Sequence, residues 1–526
     1  MRFFNTAGPV RGDEHYCLPP LTRLDLDEIL MLIDQGKYFV LHAPRQVGKT
    51  SYLLALMDYL NRQGRYRCLY FNVESAQAAR EEVQEGMRAI LSEMAAMAQN
   101  HLGDPFPEEI WQDVLEKRGA YTALTQVLTR WAKASSKPLV LLIDEIDSLV
   151  GDTLIAVLRQ LRTGYTHRPR LFPQSVVLCG VRDVRDYRIH SSKEKAIITG
   201  GSAFNIKAES WRMGDFGQDE IEILFRQHTT ETGQVFEDAA LESAWELTHG
   251  QPWLVNALGY EVCFRMKAGR DRSQSITAER VAEAKERIIL RRETHLDQLA
   301  DKLKEARVRR VIEPLLAGTG RPDLILTDDI QYVRDLGLIR IKEGQLTIAN
   351  RIYQEVIPRE LTYGTQLTIA HQSAWYVAPD GRLDMDKLLS AFQQFFREHS
   401  EHWVERFDYK EAGPQLLLQA FLQRIVNHGG RVEREYGLGR MRTDLLVIWP
   451  YNNAVQRSVL ELKLRYGSLK QTIKEGLKQT WDYLDRCGAE AGHLVIFDRE
   501  PDKPWEKKIF TRRESYQGQE IKVWGM

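Results

Sequence analysis

The segment Ala43-Pro44-Arg45-Gln46-Val47-Gly48-Lys49-Thr50 places a lysine and a hydroxyl side by side directly after a glycine. Backbone N–H groups of such a loop, with a helix start behind it, present donors to phosphate oxygens. Lys49 then reaches the terminal phosphates, and Thr50 reaches a divalent cation such as Mg²⁺. Ala43 stands where a glycine is common, and an ordinary backbone conformation tolerates the extra methyl. A second group, Asp144-Glu145, closes the apolar run Leu-Val-Leu-Leu-Ile. Asp144 suits the cation shell, and Glu145 suits orienting and deprotonating a water. Asp147 reads as a helix cap. Arg182 ends another apolar run and offers a cation to a terminal phosphate; its plainer reading is an ion pair with Asp183 or Asp186. Pro252, in Gly250-Gln251-Pro252, fits the first position of a helix, where no N–H is needed and a flat apolar ring can pack on a base.

A third group lies far downstream. Asp444 opens the run Asp-Leu-Leu-Val-Ile-Trp, and Glu461-Leu462-Lys463 lies in the next apolar run. Residues i and i+2 of a strand share a face, so Glu461 and Lys463 point together while Leu462 packs away. Two carboxylates from adjacent strands converge on Mg²⁺ or Mn²⁺, which activates water and stabilises charge on a scissile phosphate. Lys463 adds positive charge beside them. Gln479 and Tyr483 lie four apart, hence on one helix face. Glu435 and Glu433 are the nearest further acids, and Glu411 is more distant. The plainer reading is an exposed Glu/Lys pair on a strand.

Positioning these groups requires strands and helices in alternation. Apolar runs at 38–42, 68–73, 138–145 and 175–181 read as buried strands, with a shorter one at 204–208. Helical patterns lie between them, near 50–63, 78–102, 107–117, 120–134 and 152–164. This order predicts an α/β fold with a parallel sheet flanked by helices. Residues 212–268 are helical in pattern. Residues 295–361 read as three short helices and two strands turning at Glu343-Gly344, a winged-helix pattern. A polar connector follows at 362–382, and helices fill 383–428. From Arg431 strand pairs dominate, with a helix at 467–486, which predicts a separate small α/β domain.

The expected divisions are an N-terminal segment at 1–36, a phosphate-loop domain at 37–210, a helical lid at 211–294, a winged helix at 295–361, a connector at 362–410 and a last domain at 411–526. A length of 526 residues agrees with several domains. The 72 Lys/Arg and 73 Asp/Glu leave a net charge of −1 and exclude a globally basic coat. From Arg431 onward 18 Lys/Arg face 14 Asp/Glu, a local net of +4. Arg431, Arg434, Arg440 and Arg442 cluster there, and Lys470, Lys474 and Lys478 recur at helical spacing, all suited to phosphates or to a solvated face. No apolar run approaches the ~20 residues of a membrane span. The N-terminus shows no secretion signal, and five scattered cysteines suit a reducing cytosol and give no zinc spacing. The expected location is cytoplasmic.

Residues 37–361 resemble AAA+-type P-loop ATPases, nearest the signal-transduction (STAND-like) branch. The resemblance rests on APRQVGKT, LLIDE, Arg182 in GVRD, the GQP of the lid and the winged-helix pattern. It implies ATP and Mg²⁺ as ligands, Arg182 as a γ-phosphate sensor and Pro252 against the base. HYCLPPLTR (15–23) sits where such proteins place residues over the adenine, and Arg159, Arg162 and Arg168 are arginine-finger candidates. Glu145 departs from switch ATPases lacking a catalytic acid and implies hydrolysis. Residues 412–500 resemble the PD-(D/E)xK nuclease superfamily near its RecB-like branch, with a restriction-endonuclease-like fold. Together the resemblances imply an ATP-hydrolysing regulator that gates a metal-dependent phosphodiesterase, in bacterial defence or mobile-element control. Nucleic acid at the C-terminal domain, a homo-oligomer and no membrane are the implied partners. The alternatives are a nucleotide switch whose last domain binds nucleic acid or a partner without cutting, and a scaffold that uses ATP only to assemble.

Overall fold

The chain begins with two short parallel strands, β1 (Phe3–Phe4) and β2 (His15–Tyr16), followed by helix α1 (Leu26–Asp34). Strand β3 (Tyr38–His42), helix α2 (Lys49–Gln63) and strand β4 (Arg67–Asn72) come next. Helices α3 (Val83–Leu102), α4 (Phe106–Arg118) and α5 (Ala123–Ala134) lead to β5 (Leu139–Asp144), α6 (Gly151–Gly164) and β6 (Ser175–Gly180). A hairpin, β7 (Arg188–Ser191) and β8 (Ala196–Thr199), precedes β9 (Lys207–Arg212). The structure is a computed structural model; it describes residues 1–183, 188–191, 196–199, 204–291, 293–317, 326–368, 375–404, 413–426, 430–435, 444–452, 454–465, 467–498, 500 and 503–526.

Strands β4-β5-β6-β3-β9, in that order, form one sheet, and every pairing is parallel. A parallel strand covered on both faces must be apolar throughout. Accordingly every residue of β3, β5 and β6 is buried. One face packs on α1 and α2 through Leu53, Leu56, Met57 and Leu60, the apolar stripe of α2. The other face packs on α3 to α6 around Trp131, Met87 and Leu158. Each fully buried Leu, Val or Ile contributes about 1.5–3 kcal/mol, so the sheet is the rigid support for whatever stands at its strand ends. The last strand begins later than the expected 204–208. Phe204 is drawn into the core beside Tyr38, ring centroids 6.5 Å apart, and β9 runs on to pair Arg212 with His42.

Helices α7 (Gln218–Thr232), α8 (Asp238–Thr248), α9 (Pro252–Tyr260) and α10 (Ala278–Arg291) complete the helical stretch after the sheet. The first compact unit comprises Met1–Leu290 with Asp335–Gly337.

The second unit comprises Arg291–Arg334 with Leu338–Met526. It contains α11 (Thr294–Leu303), α12 (Ala306–Ala317) and most of α13 (Thr327–Asp335). An antiparallel pair follows, β10 (Ile339–Lys342) and β11 (Gln345–Ile348). Its turn residues Glu343 and Gly344 both have positive φ, as a two-residue hairpin turn requires. Helix α14 (Arg351–Thr368) extends into the stretch expected as connector, and Ile352, Tyr353, Val356 and Ile357 make a buried stripe in its first half. Helices α15 (Met385–Val404) and α16 (Gly413–Val426) precede the second sheet. Its strands are β12 (Arg431–Glu435), β13 (Asp444–Tyr451), β14 (Ala454–Leu464), β15 (Ala491–Phe497), β16 (Phe510–Tyr516) and β17 (Gln519–Gly525), ordered β12-β13-β14-β15-β17-β16. Helix α17 (Leu469–Cys487) connects β14 to the parallel β15, and a short α18 (Trp505–Lys508) precedes β16. One face of this sheet (Leu445, Val447, Leu460, Leu462) packs on α15 and α16. The other (Leu446, Ile448, Val459, Leu494, Ile496) packs on α17.

Candidate functional site

The phosphate-loop segment leaves β3 and re-enters structure at α2. Gln46 and Gly48 take positive φ, 59° and 105°, which folds the loop back over the helix start. Gly48 is the N-cap residue of α2. Lys49 is buried, and its Nζ donates to the carbonyls of Ala43 (3.0 Å) and Pro44 (3.1 Å). A buried ammonium held by neutral oxygens at a helix N-terminus is a ready site for an anion. Arg45 and Val47 complete the loop, Val47 buried and Arg45 exposed.

Asp144 ends β5 and is fully buried. Its Oδ2 accepts from Thr50 Oγ1 at 2.8 Å and from the Tyr70 hydroxyl at 3.1 Å, and its Oδ1 accepts from the Glu145 N–H at 2.9 Å. Burial, with the nearby Asp144 carboxylate adding to it, raises the Cys179 thiol's pKa well above its ordinary value. This carboxylate is therefore surrounded by neutral donors. The direct Thr50–Asp144 contact puts a hydroxyl and a carboxylate together, the donor set Mg²⁺ favours. Glu145 has φ 56°. Burial raises its pKa, the nearby Asp147 adds to the rise, and Lys49 opposes it. Asp147 does not cap a helix: its carboxylate accepts from the Val181 N–H at 3.1 Å and braces the end of β6.

Arg182 follows directly. Asp183 pairs with Lys207 at 2.6 Å, and Asp186 lies outside the described residues. Arg182 Nε lies 3.8 Å from the buried carboxylate of Asp335. In the same stretch Gly337 has φ +78°, and a Cβ there would come 2.8 Å from Pro44 of the loop. Pro252 is buried at the first position of α9, and the Gln251 side chain caps that helix through the Leu254 N–H at 2.6 Å. Gly250, at φ +82°, must be glycine: a Cβ would stand 1.9 Å from the Phe216 carbonyl. Gly250→Ala is therefore expected to lower the melting temperature by several degrees, about 2 kcal/mol or more for a strained, clashing position; calorimetry checks it. Arg168 is taken up by stacking on Tyr165, 3.4 Å to the ring centroid, while Arg159 and Arg162 are exposed on α6.

Two side chains escape a reading of the sequence. Tyr70 lies in an apolar strand, and its only signal is that a buried phenol needs a partner. Arg23, from the N-terminal segment, reaches the loop: its guanidinium donates to the Val47 carbonyl at 3.1 Å.

The family model of the AAA-like domain matches residues 21–358, more than half of the chain. The chain belongs to the AAA-like domain family. No curated protein sequence matches it. Among solved structures, this AAA-like chain is similar to the Walker-type ATPase PABY2304 of Pyrococcus abyssi, at 15% identity and a TM-score of 0.44, over 67% of this chain and 99% of that one. It is similar to the RuvB Holliday junction branch migration motor of Thermotoga maritima, at 14% and 0.32, over 62% and 90%. It is also similar to Cdc6p of Pyrobaculum aerophilum, at 14% and 0.35, over 65% and 93%. No described helix is long and apolar enough to cross a membrane.

The AAA-like chain carries its second group of acids on the other sheet. Register pairs Glu435 with Asp444 and Asp444 with Glu461. Directly paired residues share a face, so these three positions form a row across β12, β13 and β14. Leu446 and Val459, on the same parity, pack under α17, so the row belongs to the face α17 covers. Glu461 is fully buried, and Lys463 Nζ lies 2.6 Å from its Oε1. Tyr483 is buried on α17, and Gln479 Oε1 is buried without a hydrogen-bond partner among the described residues. That orphaned acceptor and the row of acidic positions suit a hydrated cation. Glu435 and Asp444 are described by backbone register; Glu411, Arg440 and Arg442 lie outside the described residues. No three His, Cys, Asp or Glu side chains cluster as metal ligands among the described residues. Lys470, Lys474 and Lys478 are all exposed along α17.

Proposed function

We propose that this chain is an ATP-hydrolysing regulator whose nucleotide state controls a metal-dependent phosphodiesterase at its C-terminal sheet. The observation that carries the second half is the register: Asp444 opposite Glu461, Glu435 opposite Asp444, and Lys463 two residues from Glu461. At the nucleotide site Lys49 and the loop N–H groups bind phosphates, Thr50 and Asp144 would hold Mg²⁺, and Glu145 takes the proton of the attacking water. Bound Mg²⁺ supplies charge neutralisation on the β and γ phosphates. Pro252 packs on the base. Arg182 contacts the γ-phosphate, and that contact competes with its ion pair to Asp335. Loss of the ion pair would free the segment around Asp335–Gly337, and the winged helix proposed at 295–361, which contains that segment, would relay the change.

At the second site Asp444 and Glu461 would hold Mg²⁺ or Mn²⁺, which supplies an activated water and a Lewis acid when bound. Lys463 keeps positive charge beside the same carboxylate and favours an anionic phosphodiester. Gln479 and Tyr483 frame the face, and the exposed lysines of α17 meet a nucleic-acid backbone without reading its sequence. The wider role is bacterial defence or mobile-element control, in the cytoplasm, with a homo-oligomer as the proposed assembly. RuvB is described as a Holliday junction branch migration motor, and nucleic acid is the partner proposed here too.

The test incubates the whole chain with linear and supercoiled DNA, single-stranded DNA and RNA, with Mg²⁺ or Mn²⁺, with and without ATP. Cleavage that requires the divalent cation and changes with ATP is expected. Salt-sensitive binding with no cleavage under any of these conditions would replace it with the second reading, a switch whose C-terminal domain holds nucleic acid without cutting. The close Lys463–Glu461 pair is the observation that favours that reading, since it sets a cation against one oxygen of the carboxylate without a metal.

A further inference from the structure

The N-terminal segment does more than precede the phosphate loop. Thr6 O accepts from the Trp253 indole at 2.9 Å, the Val10 N–H donates to Ser51 Oγ at 3.0 Å, and Cys17 exchanges two hydrogen bonds with Gln227. The segment is thus tied to α9 and α7 on one side and to the first turn of α2 on the other. Arg23 ends it. One arm of its guanidinium donates to Val47 O at 3.1 Å, and the other donates to Gly214 O in a short hydrogen bond. The same guanidinium lies over the Phe216 ring, 4.5 Å from its centroid. Phe216 in turn donates its N–H to Gly250 O at 2.8 Å, next to Gln251-Pro252.

The Val47 carbonyl belongs to the peptide whose N–H is that of Gly48. In a trans peptide the C=O and N–H point in opposite directions. A cation that grips the carbonyl from one side therefore fixes the N–H on the other and polarises it as a donor. Gly48 caps α2, so that N–H faces the anion site of the helix start. Meanwhile Gly214 lies between β9, whose end is locked by the Met213 N–H to His42 O bond of 3.0 Å, and α7. It is the exit from the sheet into the helical stretch.

We infer that Arg23 is a positioning residue for phosphate binding, which orients the Gly48 N–H through the Val47–Gly48 peptide and couples it, through Gly214 and Phe216, to the helices that carry Pro252. It rests on the nucleotide reading of the loop. The fork geometry matters, because a guanidinium can hold two carbonyls in a plane and an ammonium cannot. The residue needs no contact with the nucleotide to act.

The experiment measures dissociation constants of MgADP and MgATP, by calorimetric titration, for the whole chain and for Arg23→Lys and Arg23→Met. The melting temperature of each nucleotide-free protein is recorded alongside. Wild-type binding that Lys49→Ala abolishes establishes the nucleotide reading independently. Given that, Arg23→Met is expected to weaken MgADP and MgATP equally, by about tenfold, and Arg23→Lys to recover only part of the loss. The nucleotide-free melting temperatures are expected to stay within about 3 °C of each other. Unchanged affinities in both variants would overturn the inference, as would a loss fully restored by lysine. A drop in melting temperature with unchanged affinity would reduce Arg23 to a structural role and overturn it equally. Absence of nucleotide binding by the wild type would instead remove the nucleotide reading, and the inference with it.

Discussion

Lys49→Ala is expected to weaken MgATP binding by about a hundredfold or more, which titration calorimetry reads directly. The ammonium is buried and held only by the Ala43 and Pro44 carbonyls at 3.0 and 3.1 Å among its described contacts. A hydrogen bond to a charged group contributes about 1.5–3 kcal/mol, and Lys49 can give more than one to a polyphosphate. The two carbonyls left behind cost the nucleotide-free protein something too, so its melting temperature is the control. Glu145→Gln is the contrasting arm. It keeps the shape and the affinity, and it removes the proton acceptor, so turnover should fall by about 10²–10⁴-fold while MgATP still binds. Turnover retained in Glu145→Gln would defeat the assigned base. The wild-type pH profile carries the same signature. A base works deprotonated, and burial raises the Glu145 pKa. Activity should therefore fall on the acid side at a higher pH than an exposed glutamate would give, and that limb should vanish in the variant.

How much of this was legible in the sequence depends on the range over which each feature is encoded. The phosphate loop is local: strand, loop and helix follow one another, and Lys49 and Thr50 stand where a helix start must present them. The carboxylate of Asp144 was legible as a strand end for the same reason. Its environment was not. The Tyr70 hydroxyl reaches it only because β4 flanks β5, an order that no single segment carries. Arg23 was visible as part of a segment near the loop, yet its two carbonyl partners lie 24 and 191 residues away. Arg182 adds a partner that the local sequence does not carry: Lys207 pairs with its neighbour Asp183, and its own Nε lies 3.8 Å from the distant Asp335. In the second sheet the alternation of apolar residues gave the strands and put Glu461 and Lys463 on one face. Which residue of β13 stands opposite Glu461 is a matter of register, and a slip of one would have turned Asp444 to the other face.

That register makes Glu461→Gln the decisive substitution at the second site. Asp444 and Glu461 are paired residues of neighbouring strands, so a cation held there loses half of its anionic ligands when one becomes an amide. Divalent-dependent cleavage is expected to fall by about 10²–10³-fold, measured on labelled linear DNA at saturating Mn²⁺, whereas salt-dependent binding of the same DNA should persist. The variant is chosen over Lys463→Ala for a physical reason. Glu461 is fully buried and Lys463 lies 2.6 Å from it. Removing the lysine would strand a buried carboxylate at a cost of about 3–5 kcal/mol, and lost cleavage would then say little about chemistry. Removing the negative charge instead leaves an ammonium that is already partly exposed and can turn to solvent. Cleavage undiminished in Glu461→Gln would place the phosphodiesterase elsewhere in the chain. Cleavage lost in Glu461→Gln but kept in Lys49→Ala without its ATP response would separate the site that cuts from the site that governs it.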